Sequence, residues 1–431
     1  MATATAEAVA LPSEAGRARW RPSVKGWVAR FLVLAGVLGG VLLITASVPG
    51  FWADRISLAV IYAIIGLSLN IVLGYVGQVS LGHHGFVGIA AFVAAYYVTE
   101  KAGCTPEGGC NMGAFLTGMA FAAASGAIAA GLLGVVALRI RGLYLALITL
   151  AYGFVAETSI FEIGFLTRGG AGMPAARPNT FNSDTQFAFL TMAFLAVVIY
   201  LDWRLVRSKV GRAILSLKHS EPVAASYGIN VTQFKVIAFI MSGFFAGIGG
   251  GLYAFRAENV VSNDFQFAIA LLWVLMVVIG GLGNRTGVII GSAFFALFPF
   301  LIELSSWLEH FVNDTLNRSA SYLPLVIGPA LAIFTLISFP GGIAEQISPI
   351  TRWIRGEKFS MHPDGHHKEE KKEKDHKSGL MGKLGLHKSQ ETSEAPTEEI
   401  EQDAEPVLHG QPEEPTGTAT TSGHDDPKEN A

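Results

Sequence analysis

The sequence predicts an all-α, polytopic membrane protein of about ten transmembrane helices, and three observations carry that reading. The 431 residues are 51% hydrophobic and only 15% charged. Apolar windows close to twenty residues recur along the chain, the length that crosses roughly 30 Å of hydrocarbon at about 1.5 Å of rise per helical residue. The charge is divided: residues 1–355 carry 22 Lys/Arg against 16 Asp/Glu, and residues 356–431 carry 9 against 18. The formal net charge of -3 therefore averages a basic body and an acidic tail.

In chain order the windows place spans at about 28–48, 56–75, 85–99, 114–137, 142–163, 187–203, 234–255, 267–282, 287–305 and 321–339. The first follows a basic start and is longer than a cleavable signal core, so it counts as a span. Residues 1–27 form an N-terminal segment, 28–345 a membrane domain and 346–431 a charged tail. From residue 356, where it reads "GEKFSMHPDGHHKEEKKEKDHK", the tail has Phe359 as its single aromatic residue. It has too little apolar area to offset the entropy of ordering, which predicts disorder. Its His362, His366, His367 and His376 read as part of a solvated charge run.

Lys/Arg asymmetry orients the spans, because basic loops are retained in the cytoplasm. With the N-terminus inside, sixteen Lys/Arg of residues 1–355 fall on the cytoplasmic side and six outside. An even number of spans then returns the C-terminus to the cytoplasm. The loop "KAGCTPEGGCN", which holds the only two cysteines, Cys104 and Cys110, falls outside. A small disulfide and two free thiols both suit that spacing.

Between the second and third spans the stretch "GYVGQVSLGHHGFVG" (74–88) interrupts an apolar run with glycines and polar groups. Non-helical backbone at membrane depth is tolerated where it is buried in protein or lines a wet cavity. A second glycine-rich run, "IGGLGNRTGVIIGSAFFA" (279–296), joins the eighth and ninth spans on the same side. Paired interruptions suit a transport path, and two tight turns with helix-packing glycines suit the same residues. Asn70, Gln78, Ser80, His83 and Thr149 are candidates to line such a path, with hydrogen bonding between helices as the competing role. No cysteine or carboxylate accompanies His83 and His84 in the sequence, so no metal is assigned. Glu157 falls about 24 Å along a helix that begins at Arg141, near the outer interface, and Glu162 reaches water.

The longest cytoplasmic connection, "RLVRSKVGRAILSLKHSEPVAASYGINVTQ" (204–233), is also the most basic. Within it Ser220 can cap a helix, Glu221 suits the positive end of the dipole, and Pro222 is tolerated in a first turn. Gly228 permits a left-handed stop. A short helix outside the membrane follows, too short to be stable unless it packs on something. The chain has no G-x-x-x-x-G-K-[ST] phosphate loop, so energy from a triphosphate must enter through another chain.

"SEPVAASYG" resembles the E-A-A-x-x-x-G coupling element of bacterial ABC importer permeases. With "LNIVLGYVGQVSLGHHGFVGIAAF", "RIRGLYLALITLAYG", "FLTRGGAGMP" and "VIGGLGNRTGVIIGSAF", it makes most of residues 60–300 similar to one group. That group is the permease subunits of high-affinity branched-chain amino acid ABC transporters, of the second-permease type. The resemblance implies a type II ABC importer-like permease fold in a bacterial inner membrane. It implies Glu221, Ala224, Ala225 and Gly228 as the contact with an ATPase subunit, with Arg212 and Lys218 steering it. It implies a homologous second permease, two ATP-binding subunits that use ATP and Mg, and an extracytoplasmic substrate-binding protein. This chain would be a transporter subunit, not an enzyme, with no cofactor of its own. The outer loop "FLTRGGAGMPAARPNTFNSDTQ" (165–186), with the glycine and proline content of a flexible connection, is the candidate surface for the binding protein. Branched-chain or related hydrophobic amino acids are the expected substrates, with urea and short amides as the alternative. An ion-coupled secondary transporter is the rival from another class, and it predicts paired charges deep in the spans, where this sequence has few.

Overall fold

A computed structural model describes residues 45–47, 50–105, 108–137, 143–168, 171–304 and 342–344. The spans expected at 28–48 and 321–339 lie outside the described residues except for 45–47, and so does the tail 346–431. The other eight expected spans coincide with helices. These are α1 (Gly50–Asn70), α2 (His83–Tyr96), α3 (Met112–Ala137), α4 (Leu143–Thr158), α5 (Asp184–Arg207), α8 (Val231–Ala257), α9 (Phe267–Gly280) and α10 (Arg285–Leu304). Between α5 and α8 lie two further helices, α6 (Lys209–His219) and α7 (Glu221–Ser226). Among the described residues six helical stretches are long and apolar enough to cross a bilayer. The only sheet among them pairs β1 (Met173–Pro174) antiparallel with β2 (Asn259–Val260).

Burial grades the bundle. Of the 27 residues of α8, 15 are buried, and most of Gly50–Val76 is buried as well, whereas only 6 of the 24 residues of α5 are. Helices α1, α2 and α8 therefore form the protein-facing centre, and α3, α4 and α5 keep outward faces of Leu, Val, Phe and Tyr that suit lipid or a second membrane subunit. Helices α3 and α8 approach backbone to backbone. A Cβ at Gly243 would collide with the Gly126 carbonyl, and one at Gly247 with the Ala122 carbonyl. Small residues let helices come this close in lipid, where van der Waals packing drives association.

Helix α1 runs on as a wider π-helical turn, Ile71–Val76, which stops at Gly77 with φ +78°. Only glycine takes that left-handed backbone without strain. The chain then turns back into the bundle as the non-helical segment 77–82 before α2 begins at His83. His83 lies against Ser68 and Ser242, about 12 Å along the helix from the end of the π-helical turn at Val76 and about 16 Å from the start of α8 at 1.5 Å per residue. Helix α2 is short because it starts inside the membrane layer, and in the interruption Gln78, Ser80 and Gly82 are buried whereas Gly77 and Val79 (41% exposed) are not.

At the other end of the bundle the cysteines are joined, Cys104–Cys110, with Cα atoms 4.9 Å apart; of the two states the sequence allows, the structure has the disulfide. The loop 165–186 departs from the flexible connection its composition suggests. Met173, Ala175, Ala176 and Arg177 are buried, β1 pairs with β2, and the Arg177 guanidinium binds Asp184 Oδ1 (2.7 Å), Glu258 Oε1 (3.1 Å) and the Phe255 and Arg256 carbonyls. Glycine and proline here serve tight turns over a packed cap.

Candidate functional site

The basic connection folds into two helices that lie beyond the spans. Ser208 caps α6 by accepting from the Gly211 N–H at 3.0 Å. The face Gly211, Ala213, Ile214 and Leu217 is buried, while Arg212 and Lys218 stay exposed. Ser220 ends α6 and caps α7, its Oγ accepting from the Val223 N–H at 3.4 Å, with Pro222 in the first turn. Gly228, φ +77°, closes the turn, and the Ile229 N–H reaches the Ala224 carbonyl at 3.2 Å. Asn230 then caps α8 through the Gln233 N–H.

What α7 packs on is its own bundle. Ala224 is 3% exposed, and Glu221 Oε1 pairs with Lys235 Nζ of α8 at 2.5 Å and accepts from Gln78 Nε2 at 3.1 Å. Glu221 and Ala224 thus turn inward, whereas Val223 (54% exposed), Ala225, Ser226, Tyr227 (82% exposed) and Gly228 face out. The six residues expected to act in coupling divide into an anchoring pair, Glu221 and Ala224, and an accessible set, Arg212, Lys218, Ala225 and Gly228. Val223 and Tyr227, prominent on the outer face, were not legible as functional. A solvent-facing apolar pair on a loop helix is a surface signal that hydropathy windows discard.

Through Gln78, α7 is tied to the interruption, and the path candidates follow along it. Asn70 Oδ1 accepts from the Gly283 N–H at 2.8 Å, so the two glycine-rich stretches touch. A Cβ at Gly74 would strike the Asn70 side chain and come within 2.6 Å of the Gly283 nitrogen. Thr149 Oγ1 of α4 accepts from the Leu81 N–H at 3.0 Å and donates to the Ala146 carbonyl. Ser80 is buried, and its Oγ has no hydrogen-bond partner among the described residues.

His83 Nε2 lies 2.8 Å from Ser68 Oγ and 3.3 Å from Ser242 Oγ. Each serine hydroxyl donates to the other's backbone carbonyl, at 2.7 and 2.8 Å. A hydroxyl has one proton, so both oxygens are left as acceptors and the imidazole donates from Nε2–H. Nδ1 of His83 and both ring nitrogens of His84 have no hydrogen-bond partner among the described residues. Where α2, α4 and α9 meet, His84 lies beside Phe267 and Gly153.

A second cluster at the loop end escaped the sequence reading. The buried Asp202 of α5 accepts through Oδ2 from Tyr75 Oη at 3.1 Å and Arg285 Nε at 2.7 Å. It joins the ends of α1, α5 and α10, and the Lys235–Glu221 pair joins α8 to α7. The available signal was a lone carboxylate at the end of an apolar span, which is costly unless paired. At the disulfide end, Glu157 Oε2 accepts from the Phe267 N–H at 3.1 Å, capping α9. Among the described residues no group of three His, Cys, Asp or Glu could hold a metal ion.

Comparison with known proteins places this architecture. The family model described as "Branched-chain amino acid transport system / permease component" matches residues 52–327. The high-affinity branched-chain amino acid transport system permease protein LivM of Salmonella typhimurium is 30% identical over 328 residues, covering 69% of this chain and 70% of that protein. LivM of Escherichia coli is 31% identical over the same shares. The guanosine ABC transporter permease NupQ of Bacillus subtilis is 26% identical over 216 residues, covering 48% of this chain and 62% of that protein. The matched residues include both glycine-rich interruptions, the α6–α7 connection and the central helices, and on that ground the chain belongs to the branched-chain amino acid transport permease family and is an integral-membrane permease subunit.

Proposed function

We infer that this permease imports branched-chain amino acids and is driven by separate ATP-hydrolysing subunits that seat on α7. The observation that carries this reading is the double role of α7. Its outer face offers Val223, Ala225 and Tyr227, while its inner face is fixed by Glu221 to both Lys235 and Gln78. Movement of a partner can change a membrane segment only through a contact that resists being left behind, and a buried ion pair with a hydrogen bond meets that need. Gln78 belongs to the interruption that leads through Ser80 and Leu81, the latter held by Thr149, to His83, so displacement of α7 reaches these polar groups within a few residues of chain.

In this reading these polar groups line a weakly binding route and not a tight site. A zwitterionic solute would exchange transient hydrogen bonds with Ser80, His83, His84 and Thr149, while selection rests with an extracytoplasmic binding protein. ATP and Mg belong to the two ATP-binding chains, and a homologous second permease supplies the other half of the route. Positive-inside bias supports α6 and α7 on the cytoplasmic face and the Cys104–Cys110 loop outside. The LivM relatives support branched-chain amino acids as substrate, and the more distant guanosine permease makes nucleosides the class to test against. Uptake of labelled leucine by cells expressing the transporter, competed with isoleucine, valine, urea, acetamide and guanosine, tests this reading. Competition by isoleucine and valine alone is expected, and competition by guanosine or the amides alone would reassign the substrate.

A further inference from the structure

The end of α5 has a feature to which the proposed function assigns no role. Along one outward stripe of the helix lie Val197, Tyr200, Trp203 with Arg204, and Arg207, at the spacing of successive turns. Val197 and Tyr200 are 52% and 56% exposed. The rings of Tyr200 and Trp203 stack at 6.2 Å, and the Arg207 guanidinium sits 4.2 Å above the Trp203 ring. The order is apolar, aromatic, cationic, the sequence met in a lipid leaflet passing from acyl chain through interface to phosphate. Beside the stripe, the start of α6 and the flank of α8 close a groove of about 680 Å³. Leu201, Leu205, Val210, Ile237 and Met241 form its floor, and Trp203, Arg204, Arg207 and Ser208 its rim.

Neither Arg204 nor Arg207 makes an ion pair with a carboxylate among the described residues. Asp202 next to them is committed to Arg285 and Tyr75. Two cations at the rim of an apolar groove on a membrane-facing helix call for an anion that brings its own hydrocarbon. We propose that this groove binds one anionic phospholipid, its acyl chain along Leu201, Ile237 and Met241 and its phosphate between Arg204 and Arg207. The lipid would brace the junction of α5 and α6 just before the coupling helix.

The test uses the full-length permease, purified in mild detergent and incubated with equal amounts of phosphatidylglycerol and phosphatidylcholine, with retained lipid read by native mass spectrometry. The wild-type protein is expected to retain phosphatidylglycerol in about fivefold preference or more, which Arg207→Gln removes and Arg204→Gln/Arg207→Gln removes together with about tenfold of the bound lipid. Lys209→Gln takes away the same charge outside the groove and is expected to change retention less than about twofold. Equal retention of the two lipids by the wild-type protein would overturn the proposal without recourse to any variant. So would a loss in Lys209→Gln equal to that in Arg207→Gln, or displacement of the lipid by inorganic phosphate. Should the double variant shed its ATP-binding partner while lipid retention is unchanged, the groove belongs to a protein and the proposal fails.

Discussion

Glu221 serves two masters, the ammonium of Lys235 and the amide of Gln78, and its replacement separates them. Glu221→Gln preserves the shape and a hydrogen-bonding group for Gln78 but leaves the buried Lys235 charge without its carboxylate. Breaking a buried pair at one partner costs on the order of 3 kcal/mol, more than the pair itself contributes. Glu221→Gln is therefore expected to unfold markedly earlier in detergent, and Glu221→Gln/Lys235→Met to recover most of that loss because no charge is stranded. Thermal unfolding of the two single variants and the pair measures this, and additive losses would show the pair to be uncoupled. Asp202 obeys the same logic. With Arg285 and Tyr75 both on Oδ2, Asp202→Asn weakens the joint between α1, α5 and α10, and lower thermal stability with intact membrane insertion is the expected result.

At the scale of elements, the contact between α3 and α8 rests on absent side chains. Gly243→Val would push a branched side chain into the Gly126 carbonyl and the Ala130 methyl, and forced overpacking typically costs about 1–3 kcal/mol. The expected outcome is a lower yield of monodisperse protein, and Ser125→Ala on α3, whose hydroxyl bonds only its own helix, should leave the yield unchanged. Helices of this kind were legible in the sequence because hydropathy and length are local quantities. The same holds for α7, since Ser220, Glu221, Pro222 and Gly228 each speak to a neighbour within a few residues. What could not be read was long-range. No local rule puts Asn70 on Gly283, Gln78 on Glu221 or Thr149 on the Leu81 N–H, because these bonds join residues 213, 143 and 68 positions apart. The loop 165–186 misled for the same reason, because its glycines and prolines announce turns but not the burial of Arg177 between α5 and α8. Ala224 had the right composition for a coupling helix, while its inward orientation depended on where α7 docks.

The whole molecule makes sense as a lever only if its two ends face opposite compartments. In intact cells, a membrane-impermeant maleimide should label Cys104 and Cys110 after mild reduction and neither before it, given the Cys104–Cys110 bridge. A Ser226→Cys variant, on the exposed end of α7, should be labelled only once the inner face is opened. The reverse pattern would invert the orientation drawn from the Lys/Arg count. The most direct measurement of the central claim alters α7 where it faces outward and nothing inside is disturbed. Val223→Asp/Ala225→Asp leaves Ala224, Glu221 and the Lys235 pair in place, so the protein should insert and unfold as the wild type does. It should fail to co-purify with its ATP-binding chains and lose leucine uptake. Full co-purification and full uptake by that variant, with insertion verified, would contradict the account.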